Sequence, residues 1–122
     1  MNSMSSSDSM DRRGTFVGTM NYLSPEMIKD CNANCESDLW ALGCIIFKMV
    51  TGKVPFPGTA IHQVFPLITE GKIDWPKDME IEPVCRSLIE ALLVLEPADR
   101  LGARNSSNDM EALKKHKFFE GI

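Results

Sequence analysis

The side chains in this sequence that could bind a metal or act in catalysis are few and poorly grouped. Cys31 and Cys35 could act as zinc ligands, but no second Cys or His pair stands near them to complete a tetrahedral site. His62 and His116 have no carboxylate or cysteine close to them along the chain, so we expect neither to act in catalysis. Local spacing therefore indicates no metal centre and no catalytic group.

Composition sets broad limits on the class of protein. The chain has 122 residues, of which 43% are hydrophobic and 25% charged, which is typical of one globular domain or a piece of a larger one. Its net charge of −4 gives no electrostatic reason to expect nucleic acid or an anionic membrane as a partner. The longest apolar run, residues 39–47, is too short to span a bilayer.

The four cysteines are too few and too irregularly spaced for a disulfide framework. They fit a reducing compartment, and we expect a soluble, cytoplasmic protein. Residues 1–14 are rich in serine with little to pack, so we interpret them as a disordered lead-in to a folded region over 15–122.

The elements that must position any functional side chain are helical. Residues 36–50 are apolar on almost every face, which predicts a buried helix, and Gly52 follows where a left-handed cap is easiest. A second helix is predicted after Thr59 as N-cap, and Pro66 should shorten or kink it.

Two further helices are predicted towards the C-terminus. Pro83 opens the first, which we expect to end at Glu96–Pro97. Asn108 with Glu111 resembles a capping box for a last helix that runs to about Lys117. No segment alternates like a strand, so the predicted fold class is mainly α.

Four short motifs carry more information than periodicity does. Residues 18–26 (GTMNYLSPE) resemble the end of a protein-kinase activation segment, with Ser-Pro-Glu in place of the common Ala-Pro-Glu. Residues 38–43 (DLWALG), 99–102 (DRLG) and 116–119 (HKFF) resemble later kinase motifs in the same order. Each is weak alone, but four in order at family spacing are specific.

The individual residues in these motifs narrow the resemblance to one group of protein kinases. Residues 15–19, 38–46 and 100–102 are similar to the AGC group of serine/threonine kinases, and most of all to the phosphoinositide-dependent protein kinases. The resemblance covers residues 15–119. It implies a partial protein-kinase fold, namely the helical C-terminal lobe from the activation segment onward.

The resemblance also implies a buried pair between Glu26 and Arg100. A planar guanidinium can hold a carboxylate by two parallel hydrogen bonds, which would fix the activation segment to the helices below it. Without the resemblance, two unrelated surface charges would be the simpler interpretation.

Three residues of the predicted central helix are assigned by the same resemblance. Asp38 would be a buried carboxylate that accepts hydrogen bonds from the catalytic-loop backbone, and Trp40 and Gly43 keep its spacing. An acid at a helix start is also favoured by the helix dipole alone.

Two threonines precede this region. Thr15, which follows Arg12 and Arg13, would be the activation-loop phosphorylation site, and Thr19 would lie in the loop that receives the substrate. An unmodified loop threonine at 15 and a hydroxyl that caps a turn at 19 are the simpler alternatives.

The groups that perform phosphoryl transfer are not in this sequence. It contains no Gly-x-Gly, no His-Arg-Asp and no Asp-Phe-Gly, so we expect no catalytic, nucleotide-binding or metal-binding residue in the chain. ATP and magnesium are implied for an intact parent domain, with protein substrates or other kinases as partners. Membrane lipid contact would come only through regions not present here.

Two hypotheses follow from these observations. The chain is a portion of a serine/threonine kinase and is inactive by itself, or it is a non-catalytic, kinase-derived helical module that binds or regulates other proteins. Upstream sequence carrying the missing loops would favour the first, and stable binding by the chain alone would favour the second.

Overall fold

The computed structural model describes residues 20–31, 34–104 and 109–120. Within these ranges the chain forms helices and no strands, as the mainly α prediction requires. The α-helices are α1 (Pro25–Asp30), α2 (Cys35–Thr51), α3 (Ile61–Glu70), α4 (Pro83–Leu92) and α5 (Met110–Lys114). Short 3₁₀ turns lie at Met20–Tyr22, Pro97–Asp99 and Lys117–Phe119.

Helix α2 is the centre of the molecule, and its bounds agree with the predicted helix over 36–50 to within one residue at each end. It packs mainly against α4 and also contacts the 3₁₀ turns at Met20–Tyr22 and Pro97–Asp99. Gly52 ends it in a left-handed conformation with φ of 79°, which a residue without a Cβ adopts easily.

A single hydrophobic core surrounds α2. Its largest fully buried side chains are aromatic or branched aliphatic, and they come from α2, α3, α4 and the connector after α2. These are Trp40, Phe47, Phe56, Val64, Ile68, Leu88, Ile89 and Leu92. The core therefore ties together elements that are far apart in sequence.

The start of α3 differs from the prediction. Ala60, not Thr59, is the N-cap residue, and the backbone N–H groups of both residues donate to Oε1 of Gln63 at 2.9 Å (Thr59) and 3.3 Å (Ala60). The helix runs through Pro66 for ten residues. Pro66 and His62 are both exposed, so the carbonyl that loses its intrahelical partner can face water.

The later helix ends were also predicted too far along the chain. Helix α4 ends at Leu92 rather than at Glu96–Pro97, because the chain turns inward there and delivers two carbonyls to a buried arginine. Helix α5 has Asp109 as its N-cap and ends at Lys114, not Lys117. Asn108, the predicted cap, lies outside the described residues, as do residues 1–14.

Candidate functional site

The short helix α1 begins at a strong local signal. Ser24 is its N-cap, with its Oγ accepting from the Met27 N–H at 3.4 Å, and Pro25 occupies the first turn, where its missing N–H costs nothing. Glu26 follows in the first turn and is 8% exposed. The sequence Ser-Pro-Glu therefore both starts the helix and directs a carboxylate into the protein.

The N-terminus of α2 lies beside that carboxylate. Asn34 is the N-cap, with Oδ1 accepting from the Ser37 N–H at 3.0 Å, and Ser37 Oγ accepts in return from the Asn34 N–H at 3.3 Å. The Ser37 hydroxyl donates to Glu26 Oε2 at 2.7 Å. The capping of α2 and the placement of Glu26 therefore share one buried serine.

Arg100 is fully buried and meets this carboxylate across 74 positions of sequence. Its Nη1 donates to Glu26 Oε2 at 2.8 Å and its Nη2 donates to Oε1 at 2.8 Å, which is the bidentate arrangement. Nη1 also donates to the Glu36 carbonyl at 2.7 Å. The structure thus brings together the two charges that the resemblance paired.

The remaining donors of Arg100 are also used. Nε donates to the Val94 carbonyl at 2.8 Å and Nη2 to the Leu95 carbonyl at 3.3 Å. A guanidinium has five N–H groups, and five hydrogen bonds are made, so the buried cation has no unsatisfied donor. Arg100 links α1, the start of α2 and the segment after α4.

Electrostatics favour the ionised form of Glu26. Burial alone raises the pKa of this carboxyl, but the hydrogen bonds from Arg100 and Ser37 and the charge of Arg100 outweigh it and lower the pKa from 4.5 to about 2. The pair is therefore a true ion pair at neutral pH.

Trp40 covers the other side of this cluster. It is fully buried, its ring lies 5.1 Å from the Arg100 guanidinium carbon, and it stacks on Phe56 with centroids 5.5 Å apart at 11°. Its Nε1 donor has no hydrogen-bond partner among the described residues. In this chain the Trp40 ring therefore packs in the core and makes a cation–π contact with Arg100.

Gly43 lies where α2 and the end of α4 approach most closely. A Cβ at this position would stand 2.9 Å from Leu93 Cδ2 and 3.0 Å from Leu92 Cβ. An added Cβ would crowd both leucines and require them to shift, so the glycine favours the close approach of α2 and the end of α4.

Asp38 does not have the buried position that was expected of it. It lies in the first turn of α2 but is exposed, and it forms no hydrogen bond or ion pair with a described residue. The backbone donors that the resemblance assigns to it belong to a loop that this sequence does not contain.

Glu36 and Arg104 form a second pair that the sequence analysis did not find. Oε2 of Glu36 accepts from the Arg104 backbone N–H at 3.1 Å and from its Nε at 3.2 Å. Hydrogen bonds from the Arg104 side chain and backbone lower the pKa of Glu36. Helix-start acids are common, and the sequence held no signal to choose Arg104 as the partner.

His116 is held in a structural role. Its Nδ1 accepts from the Phe118 N–H at 3.0 Å, so in the neutral ring Nε2 carries the proton and donates to Ser87 Oγ at 3.1 Å. An imidazole in that tautomer cannot take a proton from the serine. This Ser–His contact is therefore not a nucleophile–base pair.

The described residues were compared with the ligand groups that hold metal ions in proteins. Across 20–31, 34–104 and 109–120, no three His, Cys, Asp or Glu side chains are grouped so as to hold a metal ion. The four cysteines are free thiols, and burial raises the pKa of Cys44 to about 12. Thr15 and Thr19, the predicted phosphorylation and substrate-loop residues, lie outside the described residues.

Comparison with known proteins agrees with this geometry. The family model of the protein kinase domain matches residues 2–119, almost the whole chain. This chain belongs to the protein kinase domain family. The buried ion pair, the central helix and the helical core are therefore parts of a kinase domain.

The relatives of this kinase-domain chain are serine/threonine kinases. It is 41% identical over 111 residues to the probable serine/threonine-protein kinase pdkA of Dictyostelium discoideum, covering 91% of the chain and 16% of that protein. It is 42% identical over 114 residues to 3-phosphoinositide-dependent protein kinase 1 of Rattus norvegicus, covering 91% and 19%. It is 41% identical over 108 residues to kinase ksg1 of Schizosaccharomyces pombe, covering 88% and 17%.

These matches confirm the resemblance to phosphoinositide-dependent AGC kinases. The chain spans less than a fifth of the length of each of these three curated relatives. None of the helices that the structure describes is long and apolar enough to cross a bilayer.

Proposed function

We propose that this chain is a portion of a serine/threonine protein kinase that, in intact form, transfers the γ-phosphate of ATP to protein serine or threonine in signalling. The family match supports the kinase class, and the names of the relatives support the serine/threonine specificity. The observation that carries the proposal is the buried, bidentate Glu26–Arg100 pair beneath the Ser-Pro-Glu segment.

The pair has a clear physical role in such a domain. It joins α1, which directly follows residues 18–24 in the sequence, to the start of α2 and to the segment after α4. Phosphoryl transfer depends mainly on positioning and electrostatics, so a rigidly held activation segment is a functional requirement. We propose Thr15 as the phosphorylated residue of that segment and Thr19 as part of its substrate-receiving loop.

We propose that the chain alone does not transfer phosphate. It contains no Gly-x-Gly loop, His-Arg-Asp or Asp-Phe-Gly, and the described residues form no group of three or more His, Cys, Asp or Glu side chains that could hold a metal ion. Those groups would be supplied by the rest of a parent domain. The exposed Asp38, whose partners the resemblance places in the catalytic loop, supports the same conclusion.

The proposed partners and compartment follow from the assignment to the serine/threonine protein kinases. Protein substrates, including other kinases, would be recognised by the intact parent in the cytoplasm. Any contact with membrane lipid would be made by regions outside this chain.

A chimera tests the kinase proposal. Residues 15–122 replace the matching segment of the Rattus norvegicus relative, and the chimera is assayed for ATP-dependent phosphorylation of a protein substrate. We expect turnover, and we expect a strong loss in the Asp38→Ala chimera, with Asp78→Ala, an exposed loop acid, as the matched control. A folded chimera that never turns over would contradict the proposal.

The second hypothesis, a non-catalytic binding module, is favoured by one observation. The chain has its own closed core, with Trp40, Phe47 and Arg100 fully buried without the rest of a kinase domain. Cooperative unfolding of the isolated chain, together with saturable binding to an intact kinase of this type, would support it. A chain that unfolds without a transition would leave only the first hypothesis.

A further inference from the structure

The connector between α2 and α3 is poor in backbone hydrogen-bond donors. Pro55 and Pro57 stand on either side of Phe56, and a proline has no N–H group. Pro55 and Phe56 are buried, so their carbonyl groups need donors from other parts of the protein. The Pro55 carbonyl accepts from the backbone N–H of Asp74 at 2.9 Å. The Phe56 carbonyl takes its donor from a side chain.

That donor is the side-chain amide of Asn21. Its Nδ2 donates to the Phe56 carbonyl oxygen at 2.8 Å, across 35 positions of sequence. Asn21 is half-buried in the 3₁₀ turn Met20–Tyr22, which also contacts α2 and α3. An ionised carboxylate of the same size could not make this bond, because it has no proton to donate. The residue type at position 21 therefore decides whether the turn is hydrogen-bonded to the connector.

Phe56 is itself held by the core that holds the buried ion pair. Its ring stacks on Trp40 with centroids 5.5 Å apart, and Trp40 lies 5.1 Å from the guanidinium carbon of Arg100. Arg100 in turn binds Glu26. The segment from residue 21 to residue 26 is thus attached to one core at two points, by Asn21 at its start and by Glu26 at its end. Every group in this chain of contacts belongs to the described residues.

We propose that Asn21 is a positioning residue for the loop that receives the protein substrate. Asn21 follows Thr19 by two positions, so its bond to the Phe56 carbonyl fixes the point at which the chain returns from that loop to the core. A loop held in advance loses less freedom when a substrate binds, which favours binding. This role rests on the proposed function, because it takes Thr19 as part of the substrate-receiving loop.

Three variants separate the hydrogen bond from other effects of substitution. Asn21→Asp keeps the size of the side chain, removes the donor and directs an anion at the Phe56 carbonyl. Asn21→Gln keeps the amide donor and should recover most of what Asn21→Asp loses. Lys77→Gln is the matched control, because it changes the net charge by the same amount on an exposed loop.

Hydrogen exchange followed by mass spectrometry tests the attachment in the full 122-residue chain. Asn21→Asp should speed exchange in a peptide covering residues 18–24 by about tenfold, which is the factor for losing one ordinary hydrogen bond. Peptides from α2 should remain protected, which shows that the variant is folded. Unchanged exchange in residues 18–24 would overturn the proposal.

Steady-state kinetics of the Rattus norvegicus chimera test the effect on substrate. Asn21→Asp should raise KM for the protein substrate by about tenfold, with kcat and KM for ATP within about twofold of the unsubstituted chimera. Asn21→Gln should restore most of that KM, and Lys77→Gln should leave it unchanged. A purely structural role would instead lower the amount of active enzyme, and hence kcat, at constant KM.

The outcomes distinguish this proposal from the proposed function. A KM for the protein substrate that Asn21→Asp leaves unchanged, in a chimera that turns over, would overturn the role of Asn21 and leave the kinase assignment intact. A folded chimera that never turns over would contradict the proposed function. In that case the exchange of residues 18–24 alone supports or overturns the attachment through Asn21.

Discussion

Replacing Glu26 by Gln removes the charge of the buried pair and leaves its shape almost unchanged. Glu26 has a pKa of about 2 in the folded protein against 4.5 for the ordinary group. At about 1.4 kcal/mol per unit, ionised Glu26 contributes on the order of 3 kcal/mol to the free energy of unfolding. Removing one partner of a buried ion pair typically costs about 3–5 kcal/mol of stability, and the contribution calculated for Glu26 agrees with that range.

Urea unfolding at pH 7, followed by circular dichroism and by Trp fluorescence, measures this loss. We expect Glu26→Gln to lower the free energy of unfolding by about 3 kcal/mol, which is a large part of the total for a small domain. Glu90→Gln is the matched control, because Glu90 pairs with Arg86 at the surface, where both side chains are about half exposed. Its effect should be below about 1 kcal/mol.

The pH dependence has a definite sign. Because the pKa of Glu26 is lower in the folded state than in the unfolded state, its contribution is complete above about pH 4.5 and is lost as the pH falls towards 2. Glu26→Gln should remove that part of the acid sensitivity. An unfolding midpoint equal to wild type at pH 7, or unchanged acid sensitivity in Glu26→Gln, would refute the reasoning.

Three further substitutions test the packing and capping around the pair. Gly43→Ala should lower the melting temperature and cost about 1–3 kcal/mol in the free energy of unfolding, because the added Cβ would stand 2.9 Å from Leu93 Cδ2. An unchanged melting temperature would contradict the close packing. Asn34→Ala removes the cap of α2 and should cost about 1 kcal/mol in urea unfolding, whereas Asn34→Asp should cost less. Arg104→Ala should raise the pKa of Glu36 towards its usual value in an NMR titration, with little change in stability, because the Arg104 side chain is 64% exposed.

The central helix and the buried pair could be predicted, each for a different reason. Helix α2 is long and apolar on almost every face, so the length of its apolar run indicated its bounds and Gly52 marked its end. The Glu26–Arg100 contact spans 74 positions and has no local signal. Only the order of the kinase-like motifs linked the two residues.

What could not be predicted depended on contacts with distant segments. Helix α4 ends early because the Val94 and Leu95 carbonyls are needed by Arg100, which its own sequence does not indicate. The Glu36–Arg104 pair likewise depends on how the chain turns after Arg100.

Asp38 shows the limit of transferring a residue's role from a family. Its position in the first turn of α2 was predicted correctly, but the burial that the resemblance implied was not, and the partners that the resemblance assigns to it belong to a loop that this sequence does not contain. Ile45 and Met49 are likewise exposed, although the sequence of α2 is apolar on almost every face.

The most direct test of the account is the titration of the Glu26 side-chain carboxyl by ¹³C NMR in the isolated chain. The central claim is that this carboxylate is locked to Arg100 inside the protein. The account predicts a pKa of about 2 for Glu26, and a return towards the unfolded value only when the chain unfolds. A Glu26 carboxyl that titrates near 4.5 in the folded chain would contradict it.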